Sequence, residues 1–229
     1  MHTFFVPELD QHHLAADEAV HATRVLRLRP GDAIALSNGR GTWAEAEITE
    51  ATAKVCTYRI IRAHEIPRPK HHLHIAIAAT KNHDRLEWFV EKATEIGIQE
   101  ISFLRTDKTE RKHIHYERLE KVAIAAMKQS QQAWLPVLHP LRVLADVLPQ
   151  TGQRFIAHVD FNNPVLLSRV ALPHQRYVVL IGPEGDFSEA ELEAAATHGY
   201  QKVSLGQNRL RTETAALMAC AVLNEKNQT

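Results

Sequence analysis

From Leu73 onward the chain alternates continuous apolar runs with stripes of helical period, and no other feature restricts its fold as strongly. Leu73 to Ala79 is almost wholly apolar, the pattern of a strand covered on both faces. Asp84 to Ile96 follows with Leu86, Phe89, Val90, Ala93 and Ile96 on one helical face and Gly97 just past its end. Ile101 to Leu104 reads as the next strand. His115 to Ala133 reads as a long helix, with Leu119, Val122, Ala123, Ala126, Met127 and Ser130 along one stripe. Arg154 to Val159 and Tyr177 to Ile181 are further buried strands, and Val203 to Leu205 is a short last one. Such alternation predicts an α/β domain on a largely parallel sheet.

The first seventy residues follow a different grammar. Thr3 to Val6 suits a short strand and Asp17 to Leu26 a short helix. Asp32 to Leu36 and Thr42 to Ile48 flank Asn38-Gly39, a two-residue turn signal. Lys54 to Ile61, rich in β-branched and aromatic residues, is a further strand. Several short strands with one helix predict a small barrel. Pro67 and Pro69 lie in the stretch Glu65 to Lys70, which reads as a linker. The expected division is therefore 1–70 and 71–229.

Lysine plus arginine balances aspartate plus glutamate at 27 each, so a nucleic-acid site has to be a local patch. No apolar run approaches the roughly 18 residues of a membrane span. The stretch Met1 to Pro7 lacks a basic region followed by a long apolar one, so no secretory signal is expected there. Cys56 and Cys220 share no metal-ligand spacing and suit a reducing, cytoplasmic compartment. Among the fifteen histidines, His12-His13, His71-His72-x-His74 and His113-x-His115 form no recognised ligand set. They read as solvated surface groups, and no metal is expected.

Two loops carry the functional signal. Val178 to Ile181 runs straight into Gly182-Pro183-Glu184-Gly185-Asp186-Phe187, and Ser188 to Glu191 has the spacing of a capping box that opens a helix. Open α/β sheets bind ligands at the carboxyl ends of their strands, where this turn sits. Its glycines let backbone amides approach a ligand, and Pro183 stiffens it. An ordinary strand-to-helix connection would carry the same pattern. The second loop, Gly206-Gln207-Asn208-Arg209-Leu210-Arg211, again links a strand to a helix, with Thr212 a candidate N-cap. Neither loop matches GxGxxG or GxxxxGK[ST], so neither a dinucleotide nor a triphosphate is the natural ligand.

Leu180-Ile181-Gly182-Pro183-Glu184-Gly185, together with Leu205-Gly206-x-x-x-Leu210-Arg211-Thr212-Glu213-Thr214-Ala215, resembles the signature of the 16S rRNA uridine-N3 methyltransferases of the SPOUT, or α/β-knot, class. The likeness extends through Arg24-Val25-Leu26-Arg27, Gly31-Asp32, Lys81, Glu91 to Gly97, Glu110-Arg111 and Lys128-Gln129-Ser130, and so touches nearly the whole chain in order. It implies an N-terminal PUA-like β-barrel and a C-terminal SPOUT domain threaded as a trefoil knot. It also implies a homodimer, S-adenosylmethionine as cofactor, and uridine 1498 of 16S rRNA in the small ribosomal subunit as target. The resemblance places cofactor contacts at Ile181, Gly182, Gly185, Leu205, Gly206, Leu210, Thr212 and Ala215. A third wall comes from the strand end at His158 to Asp160.

Uridine N3 carries a proton and lies on the Watson–Crick edge, so the base must be unpaired or extruded before it reacts. Loss of that proton puts charge on the uracil oxygens, which a fixed guanidinium stabilises. Arg211 is the candidate for that role, its alternative being a helix-end ion pair with Glu213 or a neighbour. Glu184 is the second catalytic candidate, as orienting group or proton acceptor; hydrogen bonding to backbone amides would explain it equally. Arg105, Lys108, Arg111 and Lys112 cluster before the long helix, diluted by Asp107 and Glu110. With Arg24, Arg27, Lys81 and Gln129, Arg111 and Lys112 are the expected RNA contacts. Two departures from the family pattern stand out. Many relatives carry Gly-Arg after Gln-Ser where this chain has Gln131-Gln132, and a second glycine where it has Asp186. Competing readings are a ribose 2′-O-methyltransferase of the same class and a non-catalytic factor that binds rRNA during ribosome assembly.

Overall fold

The structure is a computed structural model that describes residues 1–52, 54–158 and 165–228. It separates into two compact units, Met1–Arg68 with Ile124–Leu135, and Pro69–Ala123 with Pro136–Thr229. In the first unit β1 (His2–Phe5) pairs parallel with β2 (Ala33–Ser37), and β2, β3 (Thr42–Ala51) and β4 (Cys56–Glu65) form an antiparallel meander. Helix α1 (Ala16–Val20) runs on into a π-turn, His21–Val25. Phe4, Ile34, Leu36, Ala44, Ile48 and Tyr58 pack with Leu14, Ala19 and Ala22 as its core. The β2–β3 connection spans four residues rather than two. Asn38 Oδ1 accepts from the amides of Arg40 and Thr42, at 2.8 and 3.0 Å, and so closes a wider loop than the Asn-Gly pair predicts.

The second unit is the expected alternation: β5 (His72–Ala78), α2 (His83–Ile96), β6 (Glu100–Arg105), α3 (Tyr116–Gln129, of which Ile124 onward is grouped with the first unit), β7 (Val137–Val143), β8 (Gln153–Ala157), α4 (Leu167–Val170), β9 (Arg176–Ile181), α5 (Glu189–Thr197), β10 (Gln201–Val203) and α6 (Thr212–Lys226). All six strands are parallel, in the order β10-β8-β9-β5-β6-β7. Leu73, Ile75, Ile77, Val178, Val179 and Leu180 are fully buried, as strands covered on both faces require. Each large apolar side chain withdrawn this way stabilises the unit by about 1.5–3 kcal/mol. Helix α6 packs against α2, β5 and β9.

Four differences from the sequence expectation have physical causes. Helix α3 ends at Gln129, short of Ala133, because Gln131 takes a left-handed φ of 56° and the Gln132 amide returns to the Met127 carbonyl. The last strand ends at Val203, so Ser204 and Leu205 belong to the loop that follows. Strand β7 went unforeseen: it lies at the sheet edge and carries Pro140, where its register with β6 shifts. The histidines at 72 and 74 are not solvated surface groups. His72 Nε2 and His139 Nε2 lie 2.7 and 2.8 Å from the two Glu100 oxygens, Arg176 lies 3.1 Å away, and His74 is 1% exposed with Nε2 against Ser102 Oγ. Burial alone would raise the Glu100 carboxyl, but its histidine and arginine partners outweigh that and hold it well below the usual range. Val159 and Asp160, placed by sequence at the end of β8, lie outside the described residues.

Candidate active site

Sheet order locates the site before any side chain is considered. From β5 the chain moves outward through β6 and β7, whereas β9, β8 and β10 occupy the other side of β5. The boundary between β5 and β9 is therefore a topological switch point, where connections diverge and leave a crevice at the strands' carboxyl ends. Ile77, Ile181, Ala157 and Val203 lie in register, so the segments that follow β5, β9, β8 and β10 all leave from one edge.

The turn after β9 is held from outside. The Asp107 amide donates to Glu191 Oε1 at 2.9 Å and Ser188 Oγ to Asp107 Oδ2 at 2.6 Å. Lys108 Nζ reaches the carbonyls of Gly185 and Phe187 at 2.9 and 3.3 Å. Ser188 and Glu191 form the expected capping box, which leaves the Glu191 carboxylate buried but satisfied. A side chain at Gly185 would press on Lys108, so the turn fits closely beneath that lysine. Asp186 adopts a φ of 60°, a left-handed conformation that glycine takes more readily. Its Oδ1 accepts from the Phe187 amide, and its Oδ2 lies 2.8 Å from His158 Nδ1.

The loop after β10 is open by comparison. Gly206 has a φ of 139°, a conformation essentially closed to other residues, and a Cβ built there meets nothing within 4 Å. Helix α6 starts at Thr212 with Arg211, not Thr212, as its N-cap residue, and among the described residues no side chain caps its first amides. Amides at a helix start that lack such a cap can donate to a ligand. Arg211 itself is exposed, and no hydrogen bond or ion pair to its side chain is found among the described residues. Glu213 pairs instead with Arg85.

Arg85, in the first turn of α2, ties the two loops together. Its NH1 lies 3.6 Å from Glu184 Oε1 and its Nε 3.6 Å from Glu213 Oε1. Arg209 adds a long contact of 3.4 Å to the Glu184 carbonyl. The turns flanking residues 182–187 and 204–211 thus face one space, with Arg85 between their carboxylates.

The sequence agrees with this geometry. Residues 67–224 match the RNA methyltransferase domain family and residues 14–61 the RNA methyltransferase PUA domain family. A ribosomal RNA small subunit methyltransferase E of Rickettsia conorii is 32% identical over 213 residues, covering 91% of this chain and 87% of that protein. The chain belongs to the ribosomal RNA small subunit methyltransferase E family. Among solved structures, a "probable rRNA-methyltransferase" from Porphyromonas gingivalis superposes with a TM-score of 0.94 at 40% identity, covering 100% of this chain and 99% of that one. The methyltransferase E of Neisseria gonorrhoeae, solved bound to S-adenosyl methionine, superposes with a TM-score of 0.88 at 25% identity, covering 99% and 98%.

In this methyltransferase E chain Ile181, Gly182, Glu184 and Gly185 lie at the end of β9 and in the turn after it, and Leu205, Gly206, Leu210, Arg211 and Thr212 in the loop after β10 and at the start of α6; Arg85, between Glu184 and Glu213, and Arg209, on the Glu184 carbonyl, link the two segments. Ala215 follows one turn into α6, its amide bonded to the Arg211 carbonyl. His158 stands at the end of β8 beside Asp186. The Glu184 carboxylate caps no amide among the described residues; it faces Arg85. The expected RNA contacts separate by unit. Arg24 and Arg27 are exposed in the first unit, Arg27 with a φ of 55°, and exposed Gln129 ends α3 in the segment grouped with it. In the second, Lys81 pairs with Glu110 at 2.7 Å and Lys112 is exposed. Arg111 donates to the carbonyls of Thr80 and Lys81, so much of its guanidinium is engaged with backbone.

Sequence reading missed Arg85, Asp107 and Glu191 as site-building residues, and placed Lys108 only in a basic run. The capping box pointed to Glu191; nothing local pointed to Arg85, which reaches the site from another element. Among the described residues no group of three or more His, Cys, Asp or Glu is arranged to hold a metal, and no helix is long and apolar enough to cross a membrane.

Proposed function

We propose that this chain methylates N3 of uridine 1498 in 16S rRNA of the small ribosomal subunit, using S-adenosylmethionine, in the cytoplasm and as a homodimer. One observation carries the reading: in a methyltransferase E chain, the turn after β9 and the loop after β10 meet at the sheet's switch point, joined through Arg85. The open backbone at Gly206 and the uncapped amides of α6 suit the donor's polar groups. Backbone of Ile181, Gly182, Gly185, Leu205, Gly206 and Leu210, with His158, Thr212 and Ala215, holds it. The trefoil threading expected of the family belongs to this reading, as does the division of labour between a PUA-like RNA-binding unit, 1–70, and a methyl-transferring one, 71–229.

When bound, S-adenosylmethionine supplies a methyl group on an electrophilic sulfonium. The chain's part is to position the base and manage its charge. Arg211, exposed and uncommitted, stabilises the negative charge that develops on the uracil oxygens. Glu184, half exposed at the outer side of Arg85, orients the extruded base. Arg24, Arg27, Lys81, Arg111, Lys112 and Gln129 contact the RNA, chiefly its phosphates, which position without reading sequence.

Deleting the gene and mapping 16S rRNA by primer extension tests the reading. The N3-methyluridine stop disappears on deletion and returns with the wild-type gene. A stop that persists, or a lost methyl traced to a ribose 2′-oxygen, would overturn the proposal.

A further inference from the structure

Glu213 holds a carboxylate oxygen that the fold leaves bare. The residue is 6% exposed, its Oε1 faces Arg85 at 3.6 Å, and its Oε2 is buried with no hydrogen-bond partner among the described residues. Buried acceptors are ordinarily satisfied, so an orphan at a ligand site is waiting for a donor. Arg85 from α2 faces both Glu213 and, from the turn after β9, Glu184, and Arg211 stands two residues earlier as the N-cap residue of α6. The site thus holds a buried carboxylate with one guanidinium against it and a second, exposed one on the same helix start. The Watson–Crick edge of uracil has the complementary pattern, an N3–H donor between two carbonyl acceptors. Cytosine has no N3–H and cannot match it.

We propose that Glu213 is the base that removes the N3 proton and, with Arg85 and Arg211, the group that selects uracil. The inference rests on the uridine-N3 reading above. The proton passes from N3 to Glu213 Oε2, and the N–H electron pair remains on the ring, delocalised onto both carbonyl oxygens. The N3 lone pair then forms the N–CH3 bond as the bond from methyl carbon to sulfur breaks, which neutralises base and sulfonium together. The carboxylic acid afterwards gives its proton to water. Glu184 is the weaker choice because its carboxylate is 39% exposed and already solvated. Arg85 acts as a positioning residue that holds Glu213 by one oxygen and leaves the other free.

Single-turnover transfer to 16S rRNA, followed against pH, tests the assignment alongside calorimetry of S-adenosylmethionine binding. Glu213→Gln keeps the side chain's size and removes the base. Its rate should fall on the order of 10²–10⁴-fold while cofactor affinity stays within about twofold of wild type. The wild-type loss of rate at low pH should vanish in the variant, whose residual rate should climb with hydroxide. RNA carrying 5-fluorouridine, whose N3–H is more acidic, should recover much of the lost rate. A large drop in cofactor affinity with an unaltered pH profile would make Glu213 a ligand of the cofactor's ammonium and overturn the proposal. If the variant does not fold, wild type decides: an enzymic base leaves the acid limb in the same place for uridine and 5-fluorouridine RNA, whereas a limb that moves with the nucleobase's acidity refutes it. Methyl found elsewhere than N3 in wild type would count against the parent reading instead.

Discussion

His74 makes the second unit's stability depend on pH in a calculable way. Burial lowers its imidazole from the ordinary 6.5 to about 4, opposed by Glu100 and assisted by His139, Arg176 and His72. In the folded chain His74 stays neutral down to about pH 4, whereas in the unfolded chain it takes a proton below 6.5. Folding stability therefore falls as pH drops through this window, at a limiting slope of about 1.4 kcal/mol for each pH unit. The full window is worth about 3 kcal/mol, and about 2 of that is lost by pH 5. His71, also lowered by burial, acts in the same direction. Glu100 acts elsewhere: its depressed carboxyl contributes stability that is present above 4.5 and is lost only as pH falls toward its much lower folded value. Urea unfolding of wild type and His74→Gln at pH 7, 6 and 5 reads the histidine from the difference, in which the groups not coupled to it cancel. The variant's stability should fall less steeply, so that the gap between the two shifts by about 2 kcal/mol in its favour from pH 7 to pH 5. A gap that does not change with pH would refute the buried neutral imidazole, and a shift of opposite sign would mean that Glu100 holds His74 protonated.

Three further outcomes follow from the same structure. Arg211→Ala should abolish methyl transfer yet leave S-adenosylmethionine affinity nearly intact by calorimetry, and full turnover would remove Arg211 from the mechanism. Gly206→Val places a β-branched residue at a φ of 139° and should weaken cofactor binding at least tenfold, with a stability cost of about 1–3 kcal/mol; wild-type affinity would show that this backbone does not face the ligand. Gln131→Gly relieves a left-handed non-glycine residue, an expense of about 1–2 kcal/mol offset by about 0.5–1 kcal/mol of added chain entropy. A net stabilisation of roughly 0.5–1 kcal/mol in urea is expected, and a destabilised variant would mean that the Gln131 side chain holds this helix end.

What could be read from the sequence is what depends on near neighbours. Val178 to Ile181 announces a doubly covered strand because every residue in it must be apolar, and Ser188 to Glu191 announces a helix start because both capping partners lie within one turn. Gly97 and the stripe from Leu86 to Ile96 define α2 for the same reason, whereas its Asn82 cap was not read from the chain. Reading failed where conformation overrode composition. Gln131-Gln132-Ala133 consists of acceptable helix formers, yet a left-handed residue ends α3 before them. Val137 to Val143 mixes exposed and half-buried residues with one buried leucine, Leu138, around a proline, and only the free edge beside β6 makes it a strand.

The site divides along the same line. Each of its two loops carries a local signature, so the loops could be picked out from the chain alone, while the individual contact residues rest on the family resemblance. Their meeting could not, because it depends on β9 and β10 finding places on opposite sides of β8 in a sheet whose order only tertiary structure sets. Nor could the electrostatics. A guanidinium that the sequence places in an ordinary helix start, Arg85, turns out to stand between Glu184 and Glu213, and this changes the meaning of both carboxylates and of Arg211. Glu213 meets Arg85 rather than Arg211, whose guanidinium stays exposed, and the second oxygen of the Glu213 carboxylate is buried with no hydrogen-bond partner among the described residues. The proposed chemistry thus turns on which arginine each glutamate meets. That is decided by the switch point between β5 and β9, which brings the first turn of α2 to the mouth of the crevice.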